Sequence, residues 1–92
     1  MGEQRSEAER AGVGVDDREI DCRRLLCPMP VIRVQDEVAR MSAGERLAAV
    51  CTDPGVLHDI PAWCRIHGHE VAEVVEAEGE YVVVVRVGAT VD

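Results

Sequence analysis

Cys22-Arg-Arg-Leu-Leu-Cys-Pro-Met-Pro30 and the Val31-Ile-Arg-Val-Gln-Asp-Glu-Val-Ala-Arg-Met41 directly after it mark the point where the chain changes its period. The first part carries two prolines and no alternation, so it reads as a loop. In the second part Val31, Val34, Val38 and Met41 recur at helical spacing, and Ile32 and Ala39 widen the stripe. Arg33, Asp36, Glu37 and Arg40 take the other face, which is the pattern of an amphipathic helix. Pro28 suits its first turn, where a missing N–H costs nothing. Gly44 closes the unit.

Working outward, Asp17 to Asp21 reads as a short strand before the loop, and Glu45 to Cys51 as a second strand after the helix. Thr52-Asp53-Pro54-Gly55 is a turn, with Asp53 suited to cap the helical turn after it. Ile60, Trp63, Cys64 and His67 lie at helical spacing up to Gly68, and Pro61 predicts a helix that starts near Asp59 or is kinked. His69 to Glu76 and Glu80 to Val87 read as strands joined by a tight hairpin at Glu78-Gly79. Tyr81-Val-Val-Val-Val85 is continuously apolar, as in a strand covered on both faces. The order is βαβαββ. Its two crossovers predict parallel neighbours and its last hairpin an antiparallel pair. The fold class is α/β: a two-layer sandwich of a mixed four-stranded sheet with both helices on one face. Residues 1–15 mix glycines and charges without apolar period and read as a disordered leader, so the domain is 16–92.

Composition bounds the function. A chain of 92 residues buries roughly 64% of its unfolded surface, enough for one core. With no Phe, one Trp and one Tyr, it lacks the ring faces that stack on single-stranded nucleic acid. A formal charge of −8 argues against a whole-surface nucleic-acid binder, and no direct nucleic-acid partner is expected. No apolar run approaches a membrane span, so no membrane insertion is expected, and Met1 to Arg10 does not resemble a secretory signal. The expected location is cytoplasmic, where the four cysteines are read as free thiols, metal ligands or catalytic groups.

Among them Cys27 is the informative one. It sits at or next to the N-cap of the first helix, where the positive end of the macrodipole favours an anion. Arg23, Arg24 and Arg33 lie in the stretch from Cys22 to Gln35 before any acid appears. That setting predicts a thiol titrating below its ordinary value. Pro28 and Pro30 stiffen the turn that presents it. The plain alternative is a small buried apolar residue. No His or acid is near in sequence to serve as a base, so His58, His67 or His69 would have to approach through the fold. Cys64 and Cys51 read as core residues. Cys22, five residues before Cys27, is either a strand-end side chain or a second thiol able to close onto Cys27. Cys64, His67 and His69 are soft ligands close together, but no C-x-x-C pair accompanies them, and neither a metal nor a cofactor is expected.

Asp21-Cys22-Arg23-Arg24-Leu25-Leu26-Cys27-Pro28-Met29-Pro30 resembles the D-x-x-G-x-x-C-P-x-P signature of the TusA/SirA/YedF family of small sulfur carriers. Thr52-Asp53-Pro54, Asp59-Ile60-Pro61-x-x-Cys64 and Gly68-His69-Glu70 resemble the same family in register, so the likeness spans about residues 17 to 87. It implies the same βαβαββ sandwich. It also implies that Cys27 accepts sulfur as a persulfide from a donor protein, such as a cysteine desulfurase or a rhodanese-type sulfurtransferase, and passes it to an acceptor in a sulfur relay. Pro28 and Pro30 would then position the sulfur, with Arg23, Arg24 and Arg33 giving electrostatic support or docking. Arg24 stands where the pattern has Gly. A reading of another class stays open beside this one: a redox-sensing or regulatory module using Cys27 with or without Cys22.

Overall fold

The computed structural model describes residues 17–89. The expected leader, residues 1–15, lies outside the described residues. Six elements succeed one another: β1 (Arg18–Cys22), α1 (Met29–Val38), β2 (Arg46–Cys51), α2 (Val56–His67), β3 (Glu70–Ala77) and β4 (Glu80–Arg86). The sheet order is β1-β2-β4-β3. β1 and β2 pair in parallel, Cys22 opposite Cys51, while β4 runs antiparallel to both β2 and β3.

That order corrects the expectation that both crossovers join parallel neighbours. The second carries the chain past one vacant position, which β4 then fills by hairpin return. β4 supplies the apolar run Val82 to Val85, and a strand that apolar belongs in the middle of a sheet rather than at its edge. Glu-rich β3 takes the edge, with a register shift between Val71 and Glu73. Glu78 and Gly79 both have left-handed φ, as a two-residue turn that matches strand twist requires.

Both helices pack on one face. Val34 and Val38 of α1 and Val56, Ile60 and Cys64 of α2 join Cys22, Leu47, Ala49, Cys51, Val83 and Val85 in the main core. Alternation along the strands places Ala48, Val50, Val82 and Val84 on the opposite face, and these four are fully buried as well. β2 therefore has no solvent face from Leu47 onward.

Two helix readings need correction. The buried stripe of α1 is Pro30, Val34 and Val38, with Val31 and Met41 only partly buried against it, and Ile32 and Ala39 are exposed. Ile32 lies two residues before Val34, nearly opposite it around the helix, so it cannot share that stripe. α2 starts at Val56, before the predicted Asp59, because Gly55 and Pro54 accept the first amides and Val56 opens the buried row. Pro61 is then inside the helix and removes the bond to the carbonyl of Leu57, a residue on the exposed side.

Candidate functional site

β1 and β2 are adjacent and parallel, so their carboxyl ends open on the same side of the sheet, the usual place for function in α/β folds. The loop after β1 (Arg23 to Pro28) and the loop after β2 (Thr52 to Gly55) meet there, joined by the first turn of α2, through three contacts. The Arg24 N–H donates to Thr52 Oγ1 at 2.8 Å. The Cys27 N–H donates to Asp53 Oδ2 at 3.0 Å. The Cys27 thiol donates to Asp59 Oδ2 at 2.7 Å. Asp53 spends its other oxygen on the Gly55 N–H at 3.1 Å. These backbone bonds, from Gly55 first and Cys27 second, hold its carboxyl below the usual carboxylate range.

Cys27 is exposed, whereas Cys22, Cys51 and Cys64 are buried, and all four are free. Pro28 is the N-cap of α1, the Cys27–Pro28 peptide is cis, and Pro30 is buried beneath the turn. Apolar side chains surround the sulfur's turn: Leu26 is 72% exposed, Met29 44% and Ile32 42%, with Leu57 at the start of α2.

The thiol's expected direction of titration is reversed. Asp59 raises Cys27 above the ordinary thiol value, first by holding its proton in a hydrogen bond, with desolvation and the charges of Asp59 and Asp53 adding to the effect. The helix end cannot offset this. Pro28 and Pro30 have no N–H, and the Met29 N–H is spent on the Leu26 carbonyl at 2.8 Å. The prolines that fix the turn also remove two of the amides that could hold an anion. The arginines are weaker support than their spacing predicts. Arg23 is tied to Glu80 at 2.8 Å and to Asp21 at 3.3 Å. Arg24 and Arg33 are exposed, and none of the ion pairs seen among the described residues involves them.

Arg24 has φ 67°, the left-handed region in which the signature's Gly is at ease and an arginine is strained. The loop keeps its shape through the Thr52 bond. Arg24→Gly is expected to stabilise the protein by about 0.5–1 kcal/mol, relief of strain exceeding the extra freedom of the unfolded chain. Urea midpoints of the two proteins check this, and a lowered midpoint would contradict it.

Cys22 does not accompany Cys27. It is fully buried in the main core, opposite Cys51 in the β1–β2 pair. The Cys51 thiol donates to the Ala49 carbonyl at 3.7 Å, and the interaction with Cys22 first and burial second push it far up. Burial alone pushes Cys64 up to about 11. His67 and His69 flank the ring of Trp63, with centroids 5.1 and 5.0 Å away, while Cys64 turns inward. Among the described residues no three His, Cys, Asp or Glu side chains are placed to hold a metal. No helix among them is long and apolar enough to cross a membrane.

Asp59, which touches the sulfur, was visible in the sequence only as part of a family pattern. Nothing in its spacing from Cys27, across an intervening helix and strand, marks it as a neighbour.

Fold and turn together define a class: an α/β sandwich that presents one exposed thiol at the carboxyl ends of two parallel strands. Within that class, the family model described as Sulfurtransferase TusA matches residues 18–87, and the chain belongs to that family. A sulfur carrier protein TusA from Allochromatium vinosum is 35% identical over 65 residues, covering 71% of this chain and 86% of the relative. One of the same name from Pseudomonas putida is 36% identical over 70 residues, covering 76% and 88%. The crystal structure of a SirA-like protein from Desulfitobacterium hafniense shares the fold, with a TM-score of 0.68 at 24% identity over 76% of this chain and 96% of the other.

Proposed function

We propose that this protein is a sulfur carrier that receives a sulfane sulfur on Cys27 from a donor protein's persulfide and hands it to an acceptor protein. The observation that carries the reading is the division among the cysteines: Cys27 alone is exposed, on a turn held by two prolines and by Asp53. A relay needs a sulfur that another protein can reach, and it needs no enclosed pocket. Leu26, Met29 and Ile32 give a docking protein apolar surface beside the sulfur, and Arg33 and Arg24 give it exposed positive charge. A cysteine desulfurase or a rhodanese-type sulfurtransferase fits the donor role. A cytoplasmic setting, which keeps thiols reduced between transfers, fits the free state of all four cysteines.

The reaction is an exchange. The Cys27 sulfur bonds to the terminal sulfur of the donor persulfide, the donor's S–S bond breaks, and the donor leaves as a thiol. Sulfane sulfur changes hands with no net oxidation. The test is to incubate the reduced full chain with a persulfide donor and read the intact mass, then the mass of the Cys27 peptide. One added sulfur on that peptide is the expected result. Sulfur on another cysteine, or a disulfide from Cys22 to Cys27 in its place, would overturn the reading in favour of a redox sensor.

A further inference from the structure

We infer that Asp59 is the proton acceptor for the Cys27 thiol during sulfur uptake, a role that rests on the carrier reading above. Two carboxylates reach the turn, and their bonding separates their tasks. Asp53 has both oxygens engaged by backbone N–H groups, those of Cys27 and Gly55, and so acts as a clamp. Asp59 Oδ2 accepts the Cys27 S–H at 2.7 Å, and among the described residues this is the one hydrogen bond seen for its carboxylate. It projects from the first turn of α2, so a rigid element aims it at the sulfur of a different loop.

The chemistry needs such a group. The nucleophile toward a persulfide is the thiolate, yet the turn keeps Cys27 protonated near neutral pH and offers few amides to an anion. The proton must therefore leave as the new bond forms, and Asp59 Oδ2 is already in contact with it. As Sγ bonds to the donor's terminal sulfur, the Cys27 proton passes to Asp59. The electron pair of the donor's S–S bond goes to the departing sulfur, which then takes the proton from Asp59 and leaves as a thiol. The transferred sulfur keeps the proton it brought, so Asp59 ends as a carboxylate beside a Cys27 hydropersulfide, and when solvent takes that last proton two anions face one another. Like charges repel at that range, so the loaded state is biased toward handing its sulfur on.

The test compares the full-length wild type with Asp59→Asn, using glutathione persulfide as donor and intact mass at timed quench points from about pH 6 to pH 10. Near neutral pH the variant is expected to take up sulfur roughly a hundredfold more slowly, the low end of the range for a positioned acid–base group. The deficit should close toward the alkaline end, where the thiolate forms unaided, and Asp59→Glu should recover part of the rate. Thiolate absorbance of the variant should titrate at lower pH than the wild type, since a group that raises the thiol has been removed. Equal uptake rates near neutral pH, or a deficit of the same size at every pH, would overturn the role of Asp59 and leave the carrier reading standing. A wild type that takes up no sulfur at any pH would instead overturn the carrier reading, and this role with it.

Discussion

Cys27→Ser is expected to abolish sulfur acceptance while leaving unfolding almost where it was. The hydroxyl cannot form the S–S bond, and no other cysteine can stand in, because Cys22, Cys51 and Cys64 are buried. An exposed substitution of this kind stays within about 0.5 kcal/mol of the parent. The serine can still donate to Asp59, and the Cys27 N–H keeps its bond to Asp53. Cys64→Ser is the control of opposite sign. Its side chain is 1% exposed among Val56, Ile60 and the sheet, so a hydroxyl there costs about 1–2 kcal/mol and spares acceptance. Persulfide loading and thermal unfolding, measured on both variants, separate the two effects. Residual loading of the Cys27→Ser protein would assign the carrier thiol elsewhere, and a large drop in its unfolding temperature would make Cys27 part of the framework.

The contrast also shows where sequence reading reaches and where it stops. Val34, Val38 and the valines of β4 announce their elements because burial imposes a period, and a period is local. Cys27 could be singled out for the same reason, since Pro28 and Pro30 fix a loop and a helix start within a few residues. What could not be read was the charge around the sulfur. The stretch from Cys22 to Gln35 is basic in sequence, but Glu80 arrives from the far hairpin to tie Arg23, and Asp53 and Asp59 arrive from the second crossover to face Cys27. The sign of a thiol's shift depends on such long-range neighbours, so the local pattern gave the wrong direction. Sheet order failed for a related reason. A βαβ unit fixes that two strands are parallel, but whether a later strand inserts between them depends on which strand most needs burial on both sides, here β4.

Gly88→Ala is expected to destabilise the protein by about 2–3 kcal/mol, more than any change at the sulfur's turn. A Cβ at Gly88 would run into the Gly68 carbonyl oxygen and lie 3.0 Å from its carbon, backbone atoms that no rotamer change can move. Nor can residue 88 swing aside freely. Val87 before it is fixed by the Val87 N–H to Glu45 carbonyl and Gly44 N–H to Val87 carbonyl bonds, both 2.8 Å. The Gly88 N–H donates to His69 Nδ1 at 3.0 Å, so the close approach latches the end of β4 onto the junction of α2 and β3. That bond needs Nδ1 unprotonated. Desolvation first, and the charge of His67 second, hold His69 below its ordinary value. The unfolded chain therefore binds this proton more readily. The latch contributes fully above the unfolded histidine value of about 6.5 and is lost as pH falls through the lowered folded value. For a domain of this size the substitution should lower the unfolding temperature by roughly 10–20 °C at neutral pH. It should also flatten the loss of stability that the wild type shows on mild acidification. Thermal unfolding of both proteins across that pH range is the measurement. An alanine variant that melts with the wild type, or that loses as much stability in acid, would mean that the α2–β3 junction and the end of β4 do not hold one another as the Gly68–Gly88 contact requires.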